Sequence, residues 1–171
     1  RTRGLRALMR GVLKEVTGWI LISVQKRRYA QTQVFDYRLW VDLLDLGISR
    51  TLWLYGEREL DHKWIMDQVF WPNARVLDVG ANIGYYAVME SLLVGDDGLV
   101  VAVEPSPENF SLLKKNIELN NRKNIVSRCS AVSNESGKRE FWLARESNLN
   151  TFYKPILEKR GNLVGSIEVS V

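Results

Sequence analysis

The stretch Val76-Leu77-Asp78-Val79-Gly80-Ala81-Asn82-Ile83-Gly84-Tyr85-Tyr86 decides the fold of this chain. An apolar run carries one carboxylate near its end, and two glycines then lead into a second apolar run. Gly80 can adopt backbone angles that a Cβ forbids, so the chain can turn sharply there. Gly84 allows the second apolar run to pack closely. The stretch predicts a strand, a tight loop and a helix, which together form the basic unit of an α/β protein.

Another apolar run, from Leu99 to Val103, ends in Glu104, 24 residues after Gly80. If this run pairs with the first strand in parallel, Glu104 lies beside the loop that follows that strand. A carboxylate in that place can accept hydrogen bonds from both ribose hydroxyls of an adenosine-containing ligand. The pattern fits NAD, FAD and S-adenosylmethionine.

Charge favours S-adenosylmethionine among these ligands. A dinucleotide places its pyrophosphate at the helix N-terminus, where the nearby carboxylate of Asp78 repels it. S-adenosylmethionine carries a sulfonium and an ammonium group instead. In addition, Asn82 stands where the G-x-G-x-x-G motif has its second glycine. The residues therefore predict S-adenosylmethionine as cofactor. A nicotinamide-dependent oxidoreductase, a non-catalytic membrane-associated Rossmann-like module and a strand–turn–helix unit without ligand remain open as alternatives.

Several segments resemble, in order and spacing, the FkbM-type S-adenosylmethionine-dependent methyltransferases. They are VLDVGANIGYY (76–86), VVAVEPSPENF (100–110), LLKKNIELNN (112–121), AVSNESG (131–137) and the lead-in DLGISRTLWLYGEREL (45–60). The resemblance implies an α/β, Rossmann-like class I methyltransferase fold. It also implies an enzyme that methylates a hydroxyl of a sugar, glycolipid or polyketide-type acceptor, hence a small-molecule or glycan partner.

The resemblance also assigns cofactor-binding residues, in five groups. The first loop contributes Asp78, Gly80, Ala81, Asn82, Gly84 and Tyr85; the ribose-binding acid is Glu104; the turn beside the adenine is Pro105-Ser106; the end of the third strand contributes Ser130 and Ala131; and the acidic position of the lead-in is Glu59. Many class I enzymes have an aspartate at the end of the third strand, where this chain has Cys129-Ser130-Ala131. Backbone groups would therefore have to bind the adenine here. Asn82 and Tyr85 have equally plausible roles in capping the loop and in packing.

The resemblance leaves the general base unassigned. A class I sheet has seven strands, and about four of them can be counted in this chain. We therefore expect a C-terminally truncated part of a longer protein, with the acceptor site and the base formed by residues after Val171. An exposed sheet edge is also expected.

Composition limits the remaining possibilities. The chain has 171 residues, 46% of them hydrophobic and 26% charged, which is ordinary for one globular domain. Its one cysteine, Cys129, cannot form an internal disulfide, so a reducing cytoplasmic location is compatible. Cys129 lies in an apparent strand and is expected to be a buried thiol. The single histidine, His62, lies in a polar stretch and is expected to face solvent, and no metal-binding spacing is found.

The basic residues are concentrated at the N-terminus. Residues 1–34 contain eight basic and one acidic residue, a net charge of +7, and since the whole chain carries +4, residues 35–171 carry −3. This division predicts a basic N-terminal extension, 1–34, before a Rossmann-like domain, 35–171. The extension is predicted to form a helix from about Leu5 to Val24, with an apolar stripe of Leu5, Leu8, Val12, Val16 and Ile20.

Several partners are open for this helix. It can pack against the domain or a second copy, which is the favoured interpretation, or lie on an anionic membrane, while nucleic acid is the least favoured. Its apolar run is too short to span a bilayer. The oligomeric state cannot be read from the sequence.

The rest of the chain gives a coarse order of elements. Short strands and turns are expected over 33–56, followed by a helix over about 59–70 whose apolar residues Leu60, Trp64, Ile65 and Val69 share one face. The other expected elements are strands at 75–79, 99–104, 124–131, 139–143 and 166–171, helices at 84–94 and 107–121, and a loop over 145–165.

Overall fold

The computed structural model describes residues 5–171, with side chains from Leu8 onward. Arg1 and Arg3 lie outside the described residues, as do the side chains of Leu5 and Arg6. The helices are α1 (Leu5–Ser23), α2 (Ile48–Tyr55), α3 (Leu60–Val69), α4 (Tyr85–Val94), α5 (Pro107–Leu119) and α6 (Lys154–Lys159). The strands are β1 (Tyr29–Val34), β2 (Tyr37–Asp42), β3 (Arg75–Val79), β4 (Leu99–Val103), β5 (Ile125–Arg128), β6 (Lys138–Ala144) and β7 (Leu163–Ser170).

A parallel sheet with the strand order β3-β4-β5 forms the centre of the fold. Val76 on β3 is level with Val100 on β4, which in turn is level with Ile125 on β5. Val100 and Ala102 are fully buried on the face that α4 covers. Because α4 and α5 connect successive parallel strands, the arrangement is the predicted α/β, Rossmann-like one.

Helix α5 begins and docks through polar side chains. Ser106 caps its N-terminus by accepting a hydrogen bond from the Asn109 amide, and Pro107 takes the first helical position. Further along, the fully buried Asn116 bonds to both the amide and the carbonyl of Trp40 on β2. The hairpin of β1 and β2 is thereby fixed to the Rossmann-like layer.

The β1–β2 hairpin crosses the domain boundary predicted after residue 34. Its two strands pair antiparallel from Tyr29 with Asp42 to Val34 with Tyr37, and Val34 is completely buried. Strand β1 therefore packs with the core, inside the segment predicted as an N-terminal extension. The division of the chain after residue 34 stays a prediction.

The second hairpin, β6 with β7, follows the parallel strands. It pairs antiparallel from Lys138 with Ser170 to Ala144 with Leu163. The segment 145–165, expected to be a loop, contains a 3₁₀ turn (Ser147–Leu149) and α6. The turn lies beside the carboxyl ends of the parallel strands and closes one side of a cavity at that edge.

Helix α1 contacts the domain through Leu21, which packs against the core, and through small and polar residues. The backbone carbonyl of Lys14 accepts a 2.8 Å hydrogen bond from the Trp53 indole nitrogen, and Gly18 is buried against the same ring. The predicted apolar stripe forms, but it faces solvent: Leu8, Val12, Val16 and Ile20 are each 38% exposed or more. The favoured expectation of packing on the domain therefore holds for the helix but not for this stripe.

The apolar residues predicted to share one face of α3 face solvent: Leu60, Trp64, Ile65 and Val69 are between 47% and 67% exposed, and α3 has no buried residue. One further expectation, about the burial of Cys129, is wrong. Cys129 is exposed because β5 ends at Arg128, one residue before it, so the thiol lies outside the strand expected to bury it. No helix among the described residues is long and apolar enough to cross a membrane.

Candidate functional site

A cavity of about 310 Å³ lies at the carboxyl ends of β3 and β4, a size typical of small-molecule sites. In an open parallel sheet this is the edge where ligands bind. Residues from six separate parts of the chain line it: Ile48, Arg58, Glu59, Gly80, Ala81, Asn82, Tyr85, Tyr86, Glu104, Pro105, Phe141, Ser147, Asn148 and Asn150. Seven of the predicted site residues are in this set: Glu59, Gly80, Ala81, Asn82, Tyr85, Glu104 and Pro105.

The loop between β3 and α4 forms the floor of the cavity. The amides of Gly80 and Ala81 both donate to the carbonyl of Val103, at 2.8 and 3.0 Å, so the loop folds onto the end of β4. Gly80 and Asn82 have left-handed backbone angles, with φ of 84° and 51°. Glycine adopts these at no steric cost and asparagine tolerates them, which explains why these residue types occur here.

Glu104 is the buried acid of the site, with 4% of its surface exposed. Its Oε2 accepts a 2.8 Å hydrogen bond from the Asn82 amide, and its Oε1 accepts one of 2.9 Å from the Ser106 amide. Burial raises the pKa of Glu104, and the two backbone donors and Asn109 oppose that rise. Each carboxylate oxygen has further lone pairs, so the group can still accept hydrogen bonds from a diol.

The position of Asp78 differs from the expectation that it faces a cationic ligand. Asp78 is not among the residues lining the cavity, and its Oδ2 is buried without a partner in the described chain. Its charge acts on Glu90, a carboxyl of α4 that is only 5% exposed. In a strand, neighbouring side chains alternate between faces, and Asp78 falls on the same face as the partly buried Val76, towards α4.

Burial changes the protonation of this carboxyl pair. It raises the pKa of Glu90 to about 8, with the negative charge of Asp78 adding to the effect. Burial and the charge of Glu104 raise the pKa of Asp78 to about 6. Near neutral pH, Glu90 therefore holds a proton while Asp78 is mostly ionised, and one negative charge remains beneath the loop.

Charged and aromatic residues form one wall of the cavity. Arg58 and Glu59 form an ion pair of 2.9 Å, and the Tyr86 hydroxyl donates a hydrogen bond to Glu59. Burial alone would raise the pKa of Glu59, but the hydrogen bonds from Tyr86 and Arg58 lower it. His62 is exposed as expected, although its Nδ1 lies 2.8 Å from the Tyr86 hydroxyl. The wall therefore presents one negative and one positive group side by side.

The opposite wall comes from the β6–β7 region. The Ser147 hydroxyl lies 3.2 Å from the side-chain amide nitrogen of Asn82, within hydrogen-bond distance, and Phe141 is buried in the same wall. Sequence reasoning missed Ser147, Asn148, Asn150 and Phe141, because they approach the loop only through long-range folding. It also missed Arg58 and Tyr86, for which adjacency to the predicted Glu59 and Tyr85 was the available signal.

The remaining predicted residues do not line the cavity. Gly84 begins α4 and lies so close to α5 that a Cβ there would come within 2.8 Å of Leu113 Cδ1. Ser106 orients Glu104 through its amide. Ser130 and Ala131 follow β5, and the Ala131 amide donates to the carbonyl of Ser170 on β7. Their assignment to the adenine remains a prediction.

The donors at this site fit S-adenosylmethionine. A carboxylate with free lone pairs suits a ribose diol, and the Arg58–Glu59 pair suits an amino-acid group that has both charges. Residual negative charge beneath the loop favours a cation over a pyrophosphate. This set of donors does not favour a nicotinamide-dependent oxidoreductase or a strand–turn–helix unit without ligand.

The fold is that of a class I methyltransferase. The chain belongs to the TRM5/TYW2 methyltransferase domain family, whose model matches residues 32–144. S-adenosylmethionine is the cofactor of that family, in agreement with the prediction. The matching family is TRM5/TYW2, and the narrower FkbM assignment is not supported by this match.

Named relatives cover only part of the chain. It is 40% identical over 52 residues to protein-L-isoaspartate O-methyltransferase 1 of Archaeoglobus fulgidus, which is 30% of this chain and 24% of that protein. Protein-L-isoaspartate O-methyltransferase of Thermotoga maritima is 40% identical over 55 residues, which is 32% of this chain and 17% of that protein. The chain therefore spans about a quarter or less of these two relatives.

Solved structures with a similar arrangement are more distant. TYW2 of M. jannaschii in complex with AdoMet superposes with a TM-score of 0.48 and 21% identity, over 58% of this chain and 42% of that one. Methanocaldococcus jannaschii Trm5 in complex with adenosine gives a TM-score of 0.46 and 26% identity, over 61% of this chain and 30% of that one. Neither of the two curated relatives is named as a sugar or polyketide methyltransferase.

Proposed function

We propose that the protein containing this chain transfers a methyl group from S-adenosylmethionine to a hydroxyl of a sugar, glycolipid or polyketide-type acceptor. The observation that carries the cofactor part is the buried Glu104, held against the β3–α4 loop at the floor of the cavity. The acceptor part is supported by the FkbM-like segments and by the charge of the domain.

The residues of the cavity have distinct roles in this proposal. Glu104 accepts hydrogen bonds from the ribose hydroxyls, and Pro105 lies beside the adenine. Glu59 and Arg58 bind the ammonium and carboxylate of the methionine moiety, because each offers the opposite charge. S-adenosylmethionine supplies an electrophilic methyl group bonded to sulfur. The chain's own contribution is to orient that ligand and to shield it with Tyr85, Tyr86 and Phe141.

Charge argues against a large polyanionic acceptor bound along the domain. Residues 35–171 carry a net charge of −3, whereas proteins that bind RNA backbones usually present a basic surface. A neutral hydroxyl-bearing acceptor is not repelled by such a domain. Membership of the TRM5/TYW2 family nevertheless favours a second candidate, methylation of a nucleoside in RNA.

Two experiments test the proposal. Isothermal titration calorimetry with S-adenosylmethionine should show binding to the 171-residue chain. Glu104→Gln should weaken it about 100-fold, since a charged acceptor of two ribose hydrogen bonds is lost. The matched control, Glu118→Gln, changes an exposed glutamate of α5 and should leave the affinity unchanged. Absence of binding by the unmodified chain contradicts the cofactor assignment.

The acceptor is tested with the whole protein and S-adenosylmethionine carrying a labelled methyl group. Label should enter a glycan, glycolipid or polyketide fraction as an alkali-stable methyl ether. Label in total RNA, with none in those fractions, would instead establish the second candidate.

A further inference from the structure

The outward face of α1 is apolar along its whole described length. Eight large apolar side chains are each between 38% and 67% exposed there: Leu8, Met9, Val12, Leu13, Val16, Trp19, Ile20 and Val24, the last just beyond the helix end. At about 100° per residue they fall within a sector of about 160°. Exposed apolar residues of this number and continuity mark an interaction surface.

The orientation of this face is fixed by contacts on the other side of the helix. Lys14 lies with its ammonium 3.9 Å from the centre of the Trp53 ring, and the Trp53 indole donates to the Lys14 carbonyl. Gly18 leaves room for the same ring, and Glu15 forms an ion pair with Arg50 of α2. Rotation of α1 to bury its apolar face against the domain would break all of these contacts.

Basic residues lie on one flank of the apolar face and just beyond the C-terminal end of the helix. Arg10 is exposed on the helix, and Lys26 and Arg27 are exposed just after it. None of the three forms an ion pair with another described residue, whereas the neighbouring Arg28 is paired with Asp42. The N-terminal 34 residues carry +7 in total. This charge complements an anionic surface.

We propose that α1 docks the protein on an anionic lipid membrane, lying parallel to the surface with its apolar side chains among the lipid chains. A wide apolar sector with Trp19 within it and basic residues beside it matches a helix that lies in the membrane interface. A second copy is less well matched, because a helix pair buries a narrower seam. Docking of this kind is independent of methyl transfer.

Vesicle flotation of the 171-residue chain tests this proposal. Binding to phosphatidylcholine vesicles that contain phosphatidylserine is expected, and binding to phosphatidylcholine alone should be at least about tenfold weaker. Leu13→Asp with Val16→Asp should reduce binding more than about tenfold. Both positions face solvent, so the fold should be kept, which circular dichroism checks. The matched control, Val164→Asp on β7, is 58% exposed and should bind as the unmodified chain does.

A second variant separates charge from apolar contact. Lys26→Gln with Arg27→Gln should lower binding to phosphatidylserine vesicles several-fold and leave the weak binding to phosphatidylcholine unchanged. The proposal is overturned if the unmodified chain fails to float with anionic vesicles, or if Leu13→Asp/Val16→Asp floats as well as the Val164→Asp control. It is also overturned if the apolar face proves to be a dimer interface, with a dimer by sedimentation velocity that the double variant abolishes and no flotation.

Discussion

The amide of Asn82 donates a 2.8 Å hydrogen bond to Oε2 of Glu104, which joins the loops after two neighbouring strands. The bond exists because Asn82 has a left-handed backbone, φ 51°, that turns its amide towards the acid. The position of the Glu104 carboxylate therefore depends on the backbone conformation of the β3–α4 loop.

Substitution of Asn82 tests this coupling. Asn82→Gly keeps access to the left-handed conformation, whereas Asn82→Val strains it by about 1–2 kcal/mol. Both variants lose the side-chain contact with Ser147, so the loss of that contact does not distinguish them. Calorimetry with S-adenosylmethionine should show about tenfold weaker binding for Asn82→Val than for Asn82→Gly. Equal affinities would show that the amide orientation is unimportant.

The two glycines of the loop should differ in their tolerance of alanine. A Cβ at Gly80 meets nothing within 4 Å, so Gly80→Ala costs only backbone strain, about 1 kcal/mol. At Gly84 the φ of 91° is combined with a contact of 2.8 Å to Leu113, so Gly84→Ala should cost about 2–4 kcal/mol. Urea unfolding measures both, and a smaller loss at Gly84 than at Gly80 would contradict the packing argument.

Stability should depend on pH through Glu90. Its pKa is about 8 in the folded state and near 4.5 otherwise, so the folded chain holds a proton that the unfolded chain releases between these values. Stability is thus highest below this window and falls as pH rises through it, by up to about 1.4 kcal/mol per pH unit.

Glu90→Gln should remove most of that slope and stabilise the chain at pH 8 by about 2–4 kcal/mol, because the amide has no proton to lose. Urea unfolding between about pH 6.5 and pH 8, above the raised pKa of Asp78, measures the effect. The exposed Glu118→Gln serves as control and should keep the slope of the unmodified chain. A slope that survives in Glu90→Gln would assign it to another group.

Two asparagines of α5 and its C-terminal cap form a matched pair for a stability test. Asn116 is fully buried and bonds to Trp40 and to the Ile83 carbonyl at 2.7 Å, so Asn116→Ala leaves several buried polar groups unpaired. A loss of about 3 kcal/mol is expected. Asn120 makes similar bonds to Arg38 closer to solvent, and Asn120→Ala should cost about 1 kcal/mol. Comparable losses would mean that burial is not decisive here.

The local sequence pattern is sufficient to predict the central strands and helices of the fold. Strand β3 and the start of α5 were predicted to the residue, because the apolar run and the Ser106-Pro107 cap are each encoded within a few positions. Glu104 was predicted to approach the first loop because parallel pairing requires it, and the structure brings it there.

Tertiary context decided the features that were missed. Asp78 was expected to face a ligand, but the alternation of side chains along β3 directs it towards α4 and Glu90. The apolar residues of α3 and α1 follow the helical period, yet period alone does not say which partner covers them. Phe141 and Ser147 reach the cavity from a hairpin far along the chain, which no local signal reveals.

Asp45 accepts hydrogen bonds from Ser49 at 2.9 Å and, across 102 positions of the chain, from Ser147 at 2.8 Å. Ser147 in turn contacts Asn82, so three distant segments must meet before the cavity has its second wall. Until the segment that contains Ser147 has been synthesised, the chain has the loop and Glu104 but lacks the second wall of the cavity. Because contacts between residues far apart in sequence form slowly, the closed cavity is expected to form after the local elements of the fold.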